Sequence, residues 1–278
     1  MIVVNARVSD RSFGRSMKVR WLWSRVLRRS TLWLAQSEED ARRLVEMGAS
    51  RDAVRVGGNL KYDVRAAKVS AVAERIKEAA AGRPIVVVGS TVAPLNEKSF
   101  AEEELVIKAW EGRVREEFGA LLVIAPRHPE RFGQVETAVR EFSFAKASSW
   151  SEVNGRLDGV LLDTIGDLAA VYGIADVAFI GGSLIKRGGH NPLEPAQFGV
   201  PVVIGPSFEN FRDMVTKMQA AKGICIVKGV DQLEEVMVGM LRDPEAARAM
   251  GERGRQVFEA QQGATARAVE AIVGMVRP

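Results

Sequence analysis

The chain has 278 residues, of which 47% are hydrophobic and 27% charged, with a formal net charge of +4. That is the composition of a globular protein, and it excludes a disordered chain, a collagen-like fibre and a disulfide-stapled miniprotein. Cys225 alone can form neither an internal disulfide nor a thiolate metal site, and two histidines, His128 and His190, are too few for a His-rich metal centre.

In chain order, Ile2–Asn5 reads as a short strand. Gly14 to Arg29 reads as one helix with Val19, Leu22, Trp23, Val26 and Leu27 on its apolar side. Residues 1–30 carry eight basic side chains against Asp10 alone, and the remainder of the chain is net acidic. A nucleic-acid domain would spread its basic charge over a whole binding face, so no nucleic-acid partner is expected. A basic helix bearing tryptophans can lie on an anionic membrane surface, or it can pack on its own sheet with a solvated basic face. No run approaches the roughly 20 apolar residues of a membrane span, and the start MIVVNARVSD lacks a signal-peptide layout.

Thr31–Ala35 is a predicted strand, followed by a helix capped at Ser37 and stopped at Gly48. Val54–Val56 is a strand leading to GGNLKYD. After a polar stretch near residues 66–83, Ile85–Val88 is a strand ending in the turn Gly89-Ser90-Thr91. A helix spans about 102–117, Leu121–Ala125 is a strand ending in PRHPERF, and Val135–Phe142 is a helix. Residues 143–148 read as a weaker strand, Val160–Asp163 as a strand ending in DTIGD, and 168–174 as a helix. Val177–Ile180 ends in GGSLIKRGGHNPLEP, and Val202–Ile204 ends in GPSFENF before a helix to Ala221. Ile224–Val227 is a buried strand with Cys225 as a small core residue, and two helices close the chain. Strand and helix in alternation imply a parallel sheet covered on both faces.

In such sheets ligands bind off the carboxyl ends of the strands, where both histidines and the Gly-rich segments fall. Arg127 in PRHPERF offers a planar fork suited to phosphate. The glycines of GGSLIKRGGHNPLEP allow close backbone approach, and Asn191 is placed to cap a helix starting at Pro192. Helix N-termini favour anions, while Glu194 suits ribose hydroxyls. Gly166 in DTIGD can again face a phosphate or a base. No GxxxxGK[ST] loop and no GxGxxG fingerprint occurs.

NARVSDRSF, LAQSEEDARRL, GNLKYD, PRHPERF, DTIGDLAAVYGIADVAFIGGSLIKRGGHNPLEPAQFGVPVVIGP and FENF, in that order, resemble the bacterial 3-deoxy-D-manno-octulosonic acid (Kdo) transferases from Asn5 to the C-terminus. The resemblance implies an α/β fold of the GT-B glycosyltransferase type, with the latter part of an N-terminal Rossmann-like domain (1–62) and a complete C-terminal Rossmann-like domain (63–278) whose last helix packs back on the first. It implies transfer of Kdo from CMP-Kdo to lipid A precursor, without metal or cofactor, at the cytoplasmic face of the bacterial inner membrane, with the basic helix 14–29 facing the membrane surface. By motif, CMP is expected to touch Pro126, Arg127, Gly166, Asp167, Leu168, Asn191, Pro192, Leu193 and Glu194, with Ser90, Thr91, Gly189 and His190 as donor-site neighbours.

Three departures from the family pattern stand out. Asp167 replaces a Glu. The segment after Gly-Ser-Thr reads VAPLNEKSFAEEE where the family continues His-Glu-Gly. The family's membrane anchor and catalytic Glu base have no counterpart before Ile2, so the chain is expected to be N-terminally truncated and to lack the base. A non-catalytic CMP-sugar binding module and a UDP-sugar GT-B enzyme are the alternative readings.

Overall fold

The computed structural model describes residues 1–63, 70–96, 99–150 and 155–276, and divides into two units: Met1–Arg65 with Glu259–Pro278, and Ala66–Phe258.

The first unit is built on three parallel strands in the order β1 (Ile2–Ala6), β2 (Leu32–Ala35) and β3 (Val54–Val56). Between β1 and β2 the expected single helix is two, α1 (Asp10–Lys18) and α2 (Arg20–Leu27), broken at Val19, whose φ of −122° leaves the helical region. Packing explains the break. Phe13 and Leu27 join the same small core with Leu44 and Met47, and a straight helix would hold them about 21 Å apart. Leu22, Trp23 and Val26 remain exposed, so the apolar side of α2 does not pack on the sheet. Helix α3 (Glu38–Met47) has the expected ends. Ser37 Oγ accepts from Asp40 N–H at 3.1 Å, and Gly48 closes the helix at φ 114°.

The second unit opens with α4 (Ala71–Ala80), a helix inside the stretch read as merely polar. Ser70 caps it, and Ala73, Ile76 and Ala80 bury one narrow stripe. Strand β4 (Ile85–Thr91) is longer than expected. Gly89-Ser90-Thr91 is its end rather than a turn, with an irregularity at Ser90, whose φ is +60°. Gly112 divides the next predicted helix into α5 (Glu102–Glu111) and α6 (Arg113–Glu116).

Then follow β5 (Leu121–Pro126), α7 (Phe132–Ala138), β6 (Phe144–Lys146), β7 (Gly159–Leu161), α8 (Leu168–Tyr172), β8 (Val177–Ile180), α9 (Leu193–Ala196), β9 (Val202–Ile204) and α10 (Arg212–Ala220). The two-residue edge strand β10 (Cys225–Ile226) leads to α11 (Val230–Arg242) and α12 (Pro244–Ala260). Cys225 is only half-buried there, because an edge strand is covered on fewer sides. The last helix, α13 (Ala264–Val276), lies in the first unit, where Ala268 packs against Leu32 and Leu34. The chain thus closes with three helices rather than two.

All seven strands of the second sheet are parallel, in the order β10-β9-β8-β4-β5-β7-β6. Strands β4, β5 and β8 are wholly buried, as a sheet covered on both faces requires. One face packs on Trp110, Val114, Leu233 and Met237; the Trp110 indole donates to Ala120 C=O at 2.9 Å and meets Phe142 edge-on. The order fixes where a ligand can sit. From β4 the chain passes to β5, then to the edge strand β6 and back to β7 between them, before crossing to β8 on β4's other side. The crevice at the carboxyl ends of β4 and β8 is therefore the topological switch point.

Candidate functional site

Three strand ends are tied together at that crevice. Gly181 N–H donates to Gly89 C=O at 2.8 Å, and Arg127 N–H donates to Thr91 C=O at 2.9 Å. Contact is too close for side chains. A Cβ on Gly181 would overlap the Ser90 carbonyl, and one on Gly89 would overlap the Tyr172 hydroxyl.

The segment from β8 to α9 folds back on its own start. Gly189 N–H reaches Gly182 C=O at 2.8 Å and His190 N–H reaches Gly181 C=O at 3.1 Å. Gly182 and Gly189 have φ of +70° and +69°, a region that glycine enters without strain. Ser207 Oγ accepts from Gly188 N–H at 2.9 Å and Asn210 Nδ2 donates to Arg187 C=O at 3.1 Å, so the segment after β9 props this loop. Asn191 Oδ1 accepts from Leu193 N–H at 3.2 Å, and its Nδ2 stands 3.4 Å from Glu194 Oε1. Pro192 is the cap position of α9 rather than its first residue. With α8 and α9 at five and four residues, the expected pull of helix N-termini on an anion is largely absent, because so few aligned peptides sum to a small dipole. The cation Arg127 is left as the principal attraction for negative charge.

Arg127 is exposed, and its charge bears on both His190 and Glu194. Burial, then Arg127, then His128 push the His190 pKa down to about 4, so the ring is neutral at neutral pH. Burial raises the Glu194 pKa, opposed by the Asn191 hydrogen bond and by Arg127. Burial drives the Tyr172 hydroxyl far above its usual range, and the charge of Glu194 adds to this. The structure thus gathers Arg127, His190, Asn191 and Glu194 over Tyr172. Leu168 joins them, with Cδ1 3.1 Å from where a Gly89 Cβ would stand.

The other candidates are placed around this centre. Pro126 is the buried last residue of β5, Gly189 is buried within the loop, and Pro192 and Leu193 are buried where the loop enters α9. Gly166 is exposed at φ +100° with open space above it, and Asp167 makes no side-chain cap on α8. Beside them, Thr164 Oγ1 is buried without a hydrogen-bond partner among the described residues. Ser90 is buried, and so is Thr91, whose hydroxyl is donated to Glu103 at 2.7 Å rather than offered to solvent.

Sequence reasoning missed Tyr172 and the buried acids Glu102 and Glu103. Glu103 pairs with the buried Arg131 at 2.7 Å. The only sign was an acidic triplet at a helix start, which ordinarily reads as a solvated first turn. Among the described residues, no three His, Cys, Asp or Glu side chains come together to hold a metal ion.

Comparison with known proteins bears on this rim. Residues 1–64 match the family model described as 3-deoxy-D-manno-octulosonic-acid transferase, and residues 161–257 match glycosyl transferases group 1. The 3-deoxy-D-manno-octulosonic acid transferase of Haemophilus influenzae is 31% identical over 97% of this chain and 62% of its own length. The chain is similar to Kdo transferases along nearly its whole length. A Kdo transferase of Bordetella pertussis is also 31% identical, over 86% of the chain and 55% of its own length. The chain thus spans less than two thirds of these relatives.

Among solved structures, the C-terminal CMP-Kdo binding domain of WaaA from Acinetobacter baumannii is similar at a TM-score of 0.60 and 26% identity, over 68% of this chain and 98% of that domain. The Anabaena protein HepE, in complex with UDP and glucose, is similar at 0.54 and 10% identity over the whole chain and 71% of its own, a likeness of fold alone. The fold is α/β of the GT-B glycosyltransferase type.

Proposed function

We propose that this Kdo transferase relative binds CMP-Kdo at the rim of β4, β5, β7 and β8 and takes part in passing Kdo to lipid A precursor. The observation that carries the reading is the likeness of the second unit to a domain described as CMP-Kdo binding, at 26% identity over nearly all of that domain. The rim geometry supports it. Arg127 is an exposed cation for the CMP phosphate, Glu194 and Asn191 accept and donate toward ribose hydroxyls, and Gly166, Asp167 and Leu168 flank the open space beside them. Pro126, Pro192 and Leu193 shape the floor, with Ser90, Thr91, Gly189 and His190 around it.

The reaction is displacement at the Kdo anomeric carbon with CMP leaving. A base takes the proton of an acceptor hydroxyl, and Arg127 offsets the charge that gathers on the departing phosphate. A neutral His190 adds no positive charge beside Arg127.

No helix among the described residues is long and apolar enough to cross a membrane. We place the chain at the cytoplasmic face of the inner membrane, held by the basic segment 14–29, where six apolar side chains from Met17 to Val26 are exposed among arginines.

Calorimetric titration with CMP tests the donor site. Binding that weakens in Arg127→Ala, Asn191→Ala and Glu194→Ala, and that CMP wins over UDP in competition, supports it. Absence of CMP binding, or binding indifferent to all three substitutions, overturns it. Turnover with CMP-Kdo and lipid A precursor separates a transferase from a CMP-sugar binding module.

A further inference from the structure

Glu102, the first residue of α5, is fully buried, and no ion pair to it occurs among the described residues. Its carboxylate faces backbone. Oε2 accepts from Gly182 N–H at 2.5 Å, and Oε1 accepts from Ser183 and Leu184 N–H at 3.0 Å each. Three successive amides converge on one carboxylate from a segment 80 or more residues away in sequence. These amides begin the loop described above. The opposite edge of the same turn accepts from Gly189 and His190, and Ser183 Oγ links it to Gly205 N–H at 2.8 Å. A carboxylate spent wholly on a loop backbone adds no apolar contact to the core, and removing it would leave three buried donors to find new partners. Its position shapes a turn that carries candidate ligand-binding residues on its far side.

We propose that Glu102 is a positioning residue for the nucleotide-sugar donor: its carboxylate holds the turn at Gly181–Leu184 in the form that presents His190 and Glu194 to the ligand. This rests on the donor-binding reading above. The contact is electrostatic in origin, since an ionised carboxylate binds amide donors about twice as strongly as a neutral acceptor does. Desolvation opposes ionisation and outweighs the three amides, so Glu102 titrates at about 7. Among the described residues, the titratable and charged groups on the surrounding elements are Glu103 and Glu104 on its own helix, Arg131 beyond them, and Lys186, Arg187 and the neutral His190 in the loop. Of these, Glu103 acts on it through space, in the direction that raises its pKa.

The test uses the full chain, labelled with nitrogen-15, with amide resonances followed from pH 5.5 to 8.5 and CMP titrated calorimetrically. Thermal unfolding checks that each variant is folded. In the wild type the amides of Gly182, Ser183 and Leu184 shift together through one midpoint near 7, and in Glu102→Gln that titration is absent. CMP affinity falls about tenfold or more in Glu102→Ala. It falls less in Glu102→Gln, whose remaining oxygen still accepts two of the three N–H groups; this variant carries the test if the alanine variant does not fold. Amides that do not titrate together, or a folded variant binding CMP as tightly as the wild type, overturn the proposal. Wild type that binds no CMP overturns the donor reading and this residue's role in it, while the amide titration still decides whether Glu102 holds the turn.

Discussion

Tyr172 occupies the space that any side chain on Gly89 would need. The ring is fully buried under the end of β4, and a Cβ at position 89 would overlap its hydroxyl while standing 3.1 Å from Leu168 Cδ1. The neighbours are a central strand and a packed aromatic, so neither can yield cheaply. Gly89→Ala is expected to cost about 1–3 kcal/mol in chemical denaturation, the usual range for overpacking. Tyr172→Phe in the same background, which removes the clashing oxygen, should recover part of that loss. No recovery would mean that the strand backbone, not Tyr172, sets the requirement.

Arg127 and His190 are coupled through their charges. The folded His190 pKa lies below its ordinary value, so the unfolded chain takes up that proton first as pH falls, and stability from this group is lost between about 6.5 and 4. Ring resonances of His190 should stay those of the neutral imidazole down to about pH 5. Arg127→Ala removes the second-largest cause of the depression, so the midpoint should rise. An unmoved midpoint in that variant would place Arg127 away from the ring and weaken the view of a single assembled rim.

What could be read in the sequence follows from how local each signal is. Apolar runs such as Val86–Val88 and Leu121–Ile124 announce buried parallel strands because every residue is apolar regardless of partner. Ser37 and Gly48 mark α3 because caps act over three or four residues. Helix α4 was hidden because only a narrow stripe of it is apolar, and the break at Val19 because it answers to a core shared by Phe13 and Leu27. Arg127, Asn191 and Glu194 were legible as chemistry in strand-end loops. Glu102 was not, because an acid in a first helical turn looks the same in sequence whether it meets water or three amides from a distant loop.

Glu102 also predicts a pH signature in stability. The folded chain holds this proton more tightly than the unfolded one, since burial raises the pKa from 4.5 to about 7. Its contribution is therefore largest below about 4.5 and is lost as pH rises through about 7, and such a shift amounts to about 3 kcal/mol. Urea denaturation of the wild type and Glu102→Gln between pH 5 and 8 should diverge by this slope, with the wild type gaining relative stability toward pH 5. Parallel curves would show that the buried carboxyl does not titrate in this interval.

Asp63 fastens the last helix of the first unit. Its carboxylate accepts from Gly263 N–H at 2.6 Å and from Thr265 N–H at 2.5 Å, satisfying donors at the start of α13 that the helix itself cannot. Burial acts to raise its pKa, but the backbone bonds from Thr265 and Gly263 prevail and hold it below the ordinary value. The stabilisation is present above about 3.8 and is lost as pH falls through the lowered folded pKa. Asp63→Ala should cost about 1–2 kcal/mol and speed hydrogen exchange along α13. Unchanged exchange there would mean that packing of Ala268 alone holds the helix.

The segment from Met17 to Arg29 sets exposed apolar side chains among exposed bases. Trp21 is 64% exposed, Leu22 48% and Val26 45%, with Arg25 stacked 5.5 Å from the Trp21 ring and Arg28 and Arg29 open to solvent. An interfacial tryptophan and aliphatic side chains suit the boundary of a bilayer, and each basic residue near an anionic surface contributes about 1 kcal/mol. Binding to vesicles containing anionic lipid should weaken as salt rises, because the attraction decays within a Debye length of about 10 Å at 0.1 M. Reversing Arg25, Arg28 and Arg29 to Glu should lower co-sedimentation by more than about a hundredfold in partition coefficient. Trp21→Ala should lower it at high salt as well, since that contribution is apolar. Binding that ignores salt, or no binding to anionic vesicles, would remove the membrane from the account and leave this face for a protein partner.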